Sequence, residues 1–254
     1  MPATEFDSTT AAGGAAAAAA GGAGKREYVQ RIFSEIAPRY DLLNHLLSLN
    51  IDRQWRKRAI AELGIERAPS GSYLDLCTGT LDVAAQIIAL DKFHGFVLGA
   101  DFAEPMLRAG RDKVGPEKGA PVAADALNLP LRSGGLAGAI VAFGIRNVAS
   151  LDAALKETLR VLAPKARFVI LEFSLPRAPL MRNLYRMYFN HVLPVLGKLI
   201  SGHPTAYKYL PQSVANFPVE EELAARMRAA GFANVRWTSL TFGIAAIHVG
   251  ERAA

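Results

Sequence analysis

The chain predicts an open, doubly wound α/β fold with a mostly parallel sheet, on three observations. The run Tyr73-Leu74-Asp75-Leu76-Cys77 is short and apolar, as a buried strand is. Thr78-Gly79-Thr80 then reads as a tight turn, and residues 81–90 (LDVAAQIIAL) have the apolar spacing of a helix packed on a sheet. About twenty residues on, Phe96-Val97-Leu98-Gly99-Ala100 makes a second apolar strand that ends in Asp101. Strand, small-residue loop and helix N-terminus form the nucleotide-binding corner of such folds, and an acid closing the next strand can accept both hydroxyls of a ribose. A plain βα turn would look the same without Asp101, Gly79 then only relieving crowding.

The remaining elements follow in order. Residues 1–24 are Ala, Gly, Thr and Ser for the most part and bury too little to offset ordering entropy, so they read as a disordered tail. The ordered domain spans 25–254. Its first part, 25–65, reads as a helical cap broken at Pro38 and near Asn50, with Ile32, Phe33 and Ile36 on one face. Placed before the first strand, this cap can cover the cofactor corner. Trp55 lies among Arg53, Arg56, Lys57 and Arg58, which reads first as an anchored helix with a solvated basic face and second as a nucleic-acid contact. Residues 104–113 read as a helix, 121–124 as a third strand ending at Asp125-Ala126, and 136–142 as a fourth, apolar throughout as a buried parallel strand is. Residues 151–162 form a helix with Leu151, Leu155, Leu159 and Leu162 on one side, and 167–173 a fifth strand. Asp101, Asp125, Ala142 and Arg146 thus fall at or just beyond the carboxyl ends of successive strands, the edge where open α/β sheets bind ligands.

Residues 176–210 interrupt the α/β rhythm, mixing Arg177, Arg182, Arg186 and Lys198 with aliphatic and aromatic residues. The segment is a lid, a lipid-touching amphipathic helix or a buried helix pair. A helix over 218–230, stopped at Gly231, precedes strands at 233–240 and 242–251, whose short connection predicts an antiparallel hairpin at the sheet edge.

Composition narrows the function classes. The chain has 254 residues, 51% of them hydrophobic, enough for a substantial core. A net charge of +6 points to an anionic neighbour, either nucleic acid or an acidic membrane surface. Cys77 is the lone cysteine, so it forms no internal disulfide and reads as a small core residue. The five histidines show no ligand-like pairing, so no metal is expected. The amino terminus lacks the pattern of a signal peptide and no apolar run reaches membrane-spanning length, so the expected compartment is the cytoplasm.

Particular strings add a resemblance. Residues 33–44 (FSEIAPRYDLLN), 143–148 (FGIRNV), 171–174 (LEFS), 191–194 (HVLP) and 207–210 (YKYL) resemble the ubiquinone/menaquinone biosynthesis C-methyltransferases, within the class I S-adenosylmethionine-dependent methyltransferases. The resemblance runs from Val29 to Glu251 and implies a Rossmann-like sheet of seven strands. It also implies S-adenosyl-L-methionine as cofactor and a polyprenyl quinol as substrate, demethylmenaquinol first. Position by position, Thr80 matches a cofactor-contacting residue and Asp101 the ribose-binding acid. Asp125 and Ala126 match the pair beside the adenine, and Ala142 stands where a serine often faces the cofactor. Asp75, Gly79 and Phe102 complete the implied cofactor set. Arg146 and Asn147 match the methyl-transfer end and Tyr40 the substrate pocket; Asp41 joins Tyr40 and a bound water as a candidate proton acceptor. Implied partners are the membrane surface, peripherally at its inner face, and either a second copy or a quinone-biosynthesis complex, with no nucleic acid.

Two departures stand out. The family's Gly-Thr-Gly-Asp is Gly79-Thr80-Leu81-Asp82 here, and its Pro-Gly-Gly turn is Pro164-Lys165-Ala166. A left-handed Leu81 would cost roughly 1–2 kcal/mol, and its side chain would either crowd the cofactor or sit harmlessly in a helical first turn. Leu81 and Ala142 together motivate a second reading, a non-catalytic relative acting as a scaffold; a third is a methyltransferase of another aromatic or of RNA.

Overall fold

A computed structural model of the chain describes residues 24–37, 48, 50–187 and 204–254. Its sheet has seven strands in the order β3-β2-β1-β4-β5-β7-β6. The strands are β1 (Ser72–Leu76), β2 (Phe96–Asp101), β3 (Gly119–Ala123), β4 (Leu136–Ala142), β5 (Leu162–Phe173), β6 (Phe232–Leu240) and β7 (Ala245–Arg252). β1 pairs in parallel with β2 and with β4, and the order reverses between them. β7 runs antiparallel to both β5 and β6, so the closing hairpin forms the sheet edge as its spacing predicts.

Eight helices are described: α1 (Lys25–Ile36), α2 (Ile51–Glu62), α3 (Asp82–Ile88), α4 (Glu104–Gly110), α5 (Leu151–Val161), α6 (Pro179–Met187), α7 (Pro204–Ala215) and α8 (Glu220–Ala230). Alternation along the central strands explains the layers. Tyr73, Ile140, Val169 and Leu171 point to one face, where they pack with Trp55, Ala59 and Ile60 of α2 and Val83, Ala84 and Ile87 of α3. Leu74, Leu76, Val141, Phe168 and Ile170 point to the other, against Leu155 of α5 and Leu223 and Met227 of α8. A parallel sheet covered on both faces needs apolar residues at consecutive positions, which is why β4 and β5 read as near-continuous apolar runs.

Local chemistry sets the element ends. Ser150 caps α5 by accepting from the Ala153 N–H, and Gly231 ends α8 at φ 106°. β5 starts at Leu162, earlier than its apolar run suggests, because its first residue pairs with Leu136 before a register shift. Lys165, at φ 65°, takes the left-handed position in that irregularity. Among the described residues no helix is long and apolar enough to cross a membrane.

Candidate active site

The cleft lies at the carboxyl ends of β1, β2 and β4, where the strand order reverses and open α/β sheets bind ligands. Two adjoining hollows, open to solvent, share Cys77, Asp101, Phe102, Asn147 and Val148. The first extends over Ala124, Asp125 and Ala126 to Arg26; the second runs past Gly79, Phe143 and Gly144 to Val29 and Phe33.

Asp101 is the acid of the cleft, 8% exposed at the tip of β2. It accepts the Gly79 N–H (2.9 Å) on Oδ2 and the Ala103 N–H (2.8 Å) on Oδ1. A carboxylate offers about four acceptor sites, so both oxygens keep capacity for a diol. Burial pushes its carboxyl above the usual range, against those backbone bonds. Asp125 holds the next loop through the Leu127 N–H (3.0 Å) and pairs with Arg26 across the cleft (3.3 Å). Acids at the ends of β2 and beyond β3, with Gly79 between, are a donor and acceptor set that fits an adenosine moiety.

Asp75 and Thr80 support the loop and do not line either hollow. Asp75, 1% exposed, accepts from Thr78 Oγ1 and from the Ala84 N–H (3.0 Å), and burial pushes its carboxyl to about 7. Thr80 is 3% exposed, and a Cβ added at Gly110 would overlap its carbonyl, so only glycine lets α4 come this close. Ala142 is half-buried against the apolar core. Tyr40 and Asp41 lie outside the described residues.

Arg146 is engaged beneath the cleft. Its Nη1 donates to both Glu172 oxygens (3.0 Å each) and to the Phe143 carbonyl, and its Nε lies 3.4 Å from Ser213 Oγ. Glu172, 2% exposed, also accepts the Phe173 N–H (3.0 Å). The pair fixes the turn at 143–147, whose Asn147 does line both hollows and accepts from Tyr209 Oη (3.1 Å).

Leu81 sits at φ 64° and is fully buried. It packs in the α2–α3 core rather than in the cleft. Of the two outcomes open for this departure, Leu81 takes the one in which its side chain stays out of the cleft. A Cβ at Gly99 would overlap Leu81 Cδ2, so glycine on β2 makes room for leucine in the loop.

Several residues here escape sequence reasoning. Cys77 stands at φ 52° at the end of β1 and lines both hollows, while burial pushes its thiol well up, so it is a wall and not a nucleophile. Glu172 carried a signal, a carboxylate inside an apolar strand. Lys25, which donates to the Arg146 carbonyl (3.0 Å), and Gln30, which donates to the Phe102 carbonyl (3.2 Å), carried none.

A model of the ubiE/COQ5 methyltransferase family matches residues 22–252. The chain belongs to that family. The demethylmenaquinone methyltransferase of Thermus thermophilus is 52% identical over 225 residues, covering 87% of this chain and all of that one. The ubiquinone/menaquinone biosynthesis C-methyltransferase of Geotalea daltonii is 44% identical over 232 residues, covering 90% and 97%. Among solved structures, a SAM-dependent methyltransferase of Thermotoga maritima superposes with a TM-score of 0.62 at 18% identity, covering 88% and 99%. One from Aquifex aeolicus gives 0.55 at 16% identity, covering 78% and 89%. These structures share the fold of the class I methyltransferases, and the family's cofactor is S-adenosylmethionine.

Proposed function

We propose that the protein transfers a methyl group from S-adenosylmethionine to a ring carbon of a polyprenyl quinol, demethylmenaquinol in the first place. The observation that carries this reading is the cleft of Gly79, Asp101, Asp125 and Asn147 at the strand-order reversal, in a chain 52% identical to a demethylmenaquinone methyltransferase. When bound, the cofactor supplies a methyl group that is already electrophilic. Asp101 would receive the ribose hydroxyls, and Asp125 and Ala126, with Phe102 in the same hollow, would hold the adenine. Asp75 and Thr80 keep the loop in shape from below.

The chain's remaining work is orientation and proton handling. Holding two reactants in line is worth about 7–11 kcal/mol of barrier in favourable cases. Asn147, braced by Tyr209, marks the methyl-transfer end. Arg146, bound to Glu172, acts there as a positioning residue that holds the turn carrying Asn147. Tyr40 and Asp41 are the candidates to take the quinol proton. The protein works against the inner face of the membrane, where a polyprenyl substrate resides.

The reading is tested by deleting the methyltransferase from a bacterium that makes menaquinone and supplying this chain. Methylated quinone returns if the reading holds; persistent demethyl quinone at good expression levels contradicts it.

A further inference from the structure

The large apolar side chains that stand exposed among the described residues are Leu180 (72%), Met187 (55%), Val219 (56%) and Phe242 (77%). They belong to three separate segments, yet these segments meet around Pro176 and Arg177, just past the carboxyl end of β5. Leu180 and Met187 are seven apart on α6, hence on one helical face. Arg182 of the same helix donates to the Pro176 carbonyl (3.0 Å). Val219 leads into Glu220, whose carboxylate accepts from Ser174 Oγ (3.0 Å) and Arg177 (3.3 Å). Phe242 is at the tip of the β6–β7 hairpin, and the position of a Cβ on the neighbouring Gly243 is 3.4 Å from Pro176 Cα. Phe242 has φ 57°, a left-handed conformation that phenylalanine seldom takes, and it spends that strain on presenting its ring to solvent.

The patch is joined to the cleft. Phe143, which lines the second hollow, has its ring 4.6 Å from Phe173, and Trp55 meets both at 6.1 and 6.3 Å. Trp55 Nε1 donates to Thr241 Oγ1 (2.9 Å), beside Phe242. Buried aromatic contacts thus link the candidate active site to the exposed tip. The helix α2 that bonds to this tip through Trp55 also carries Arg53, Lys57 and Arg58, which stand exposed and have no ion-pair partner among the described residues. The nearby acids Glu221 and Glu222 on α8 are each paired, with Arg228 and Arg226.

We propose that this surface docks the protein on an anionic bilayer. Phe242 and Leu180 enter the boundary between headgroups and acyl chains, with Val219 and Met187 at the margin. Arg53, Lys57 and Arg58 face the lipid phosphates, each worth about fivefold in partitioning near such a surface. Exposed apolar side chains beside exposed cations are the composition of an interfacial anchor. The proposal rests on the quinol-methylating reading only for what the docking is for.

The test is co-sedimentation of the full chain with vesicles of equimolar phosphatidylglycerol and phosphatidylcholine, and with vesicles of phosphatidylcholine alone. The protein is expected to pellet with the former and to partition at least tenfold less to the latter. A Leu180→Ser/Phe242→Gly variant is expected to lose at least tenfold on the anionic vesicles; glycine also relieves the strained backbone, which keeps the fold intact. Turnover of a water-soluble quinol with no tail is expected to stay unchanged in that variant. Equal vesicle binding by variant and parent overturns the proposal. So does a parent that ignores vesicles and forms a dimer the variant cannot, which would make the patch a self-interface. Absence of turnover in the parent would strike the quinol reading alone, since vesicle binding is read separately.

Discussion

At the scale of single residues, Leu81 shows how one position can break a local rule and keep the site. Its left-handed backbone costs roughly 1–2 kcal/mol, and its buried side chain returns more than that, since Leu→Ala in a core costs about 2–5 kcal/mol. Leu81→Gly should therefore destabilise the protein by about 1–3 kcal/mol in denaturant unfolding and leave the calorimetric affinity for S-adenosylmethionine nearly unchanged. Gly99→Ala should destabilise the parent and be milder in the Leu81→Gly background, because the Leu81 methyl it overlaps is then gone. Additive effects would contradict this account of the pair. Asp75 makes a prediction in pH. Its carboxyl stands near 7 in the fold against 3.8 for the ordinary group, so the folded state holds a proton the unfolded chain releases. Stability from this group is complete below about pH 4 and lost as pH rises toward 7, on the order of 4 kcal/mol in all. Subtracting the unfolding free energies of Asp75→Asn from those of the parent across pH 4–8 isolates it; a flat difference would refute the burial argument.

At the scale of elements, α1 is the piece that converts an open sheet edge into a cleft. Val29, fully buried, and Phe33 form its roof over the second hollow, and Lys25, Arg26 and Gln30 reach to the Arg146 carbonyl, Asp125 and the Phe102 carbonyl. The Arg26 pair is mostly exposed and worth at most about 1 kcal/mol, so seating depends on the apolar face. Val29→Asp should unseat the helix and raise the dissociation constant for S-adenosylmethionine at least tenfold. The melting temperature should fall by only a few degrees, because the sheet core lies elsewhere. A large loss of stability with unchanged affinity would show that α1 belongs to the core instead. The turn at 143–147 is the second such element, held from below by the Arg146–Glu172 pair. Removing one partner of a buried pair costs about 3–5 kcal/mol, which gives both side chains a structural reason to be there beside any chemical one.

At the scale of the whole molecule, the layered sheet was legible because each central strand is apolar on both faces and each helix on one. The strand-to-loop corner with Asp101 was legible for the same kind of reason, since a carboxylate has few places at the end of an apolar strand. The boundaries of β5 were not, because Leu162 and Lys165 owe their places to pairing with Leu136 and to a register shift. The inward packing of Leu81 depends on a glycine eighteen residues away on another strand, which no local pattern announces. The same holds for Arg146, whose partner Glu172 is twenty-six residues on, and for Arg56, expected on a solvated face and found buried between Asp52 and Asp82.

The central claim is that methyl transfer to a quinol carbon runs in the cleft anchored by Asp101. Its most direct test is turnover with methyl-labelled S-adenosylmethionine and short-chain demethylmenaquinol, comparing the parent with Asp101→Asn. The account predicts label on the quinol ring carbon with the parent, and a fall of at least tenfold in kcat/KM for the cofactor in the variant. Folded parent protein that binds the cofactor yet leaves the quinol unlabelled, or an Asp101→Asn variant as active as the parent, would contradict it.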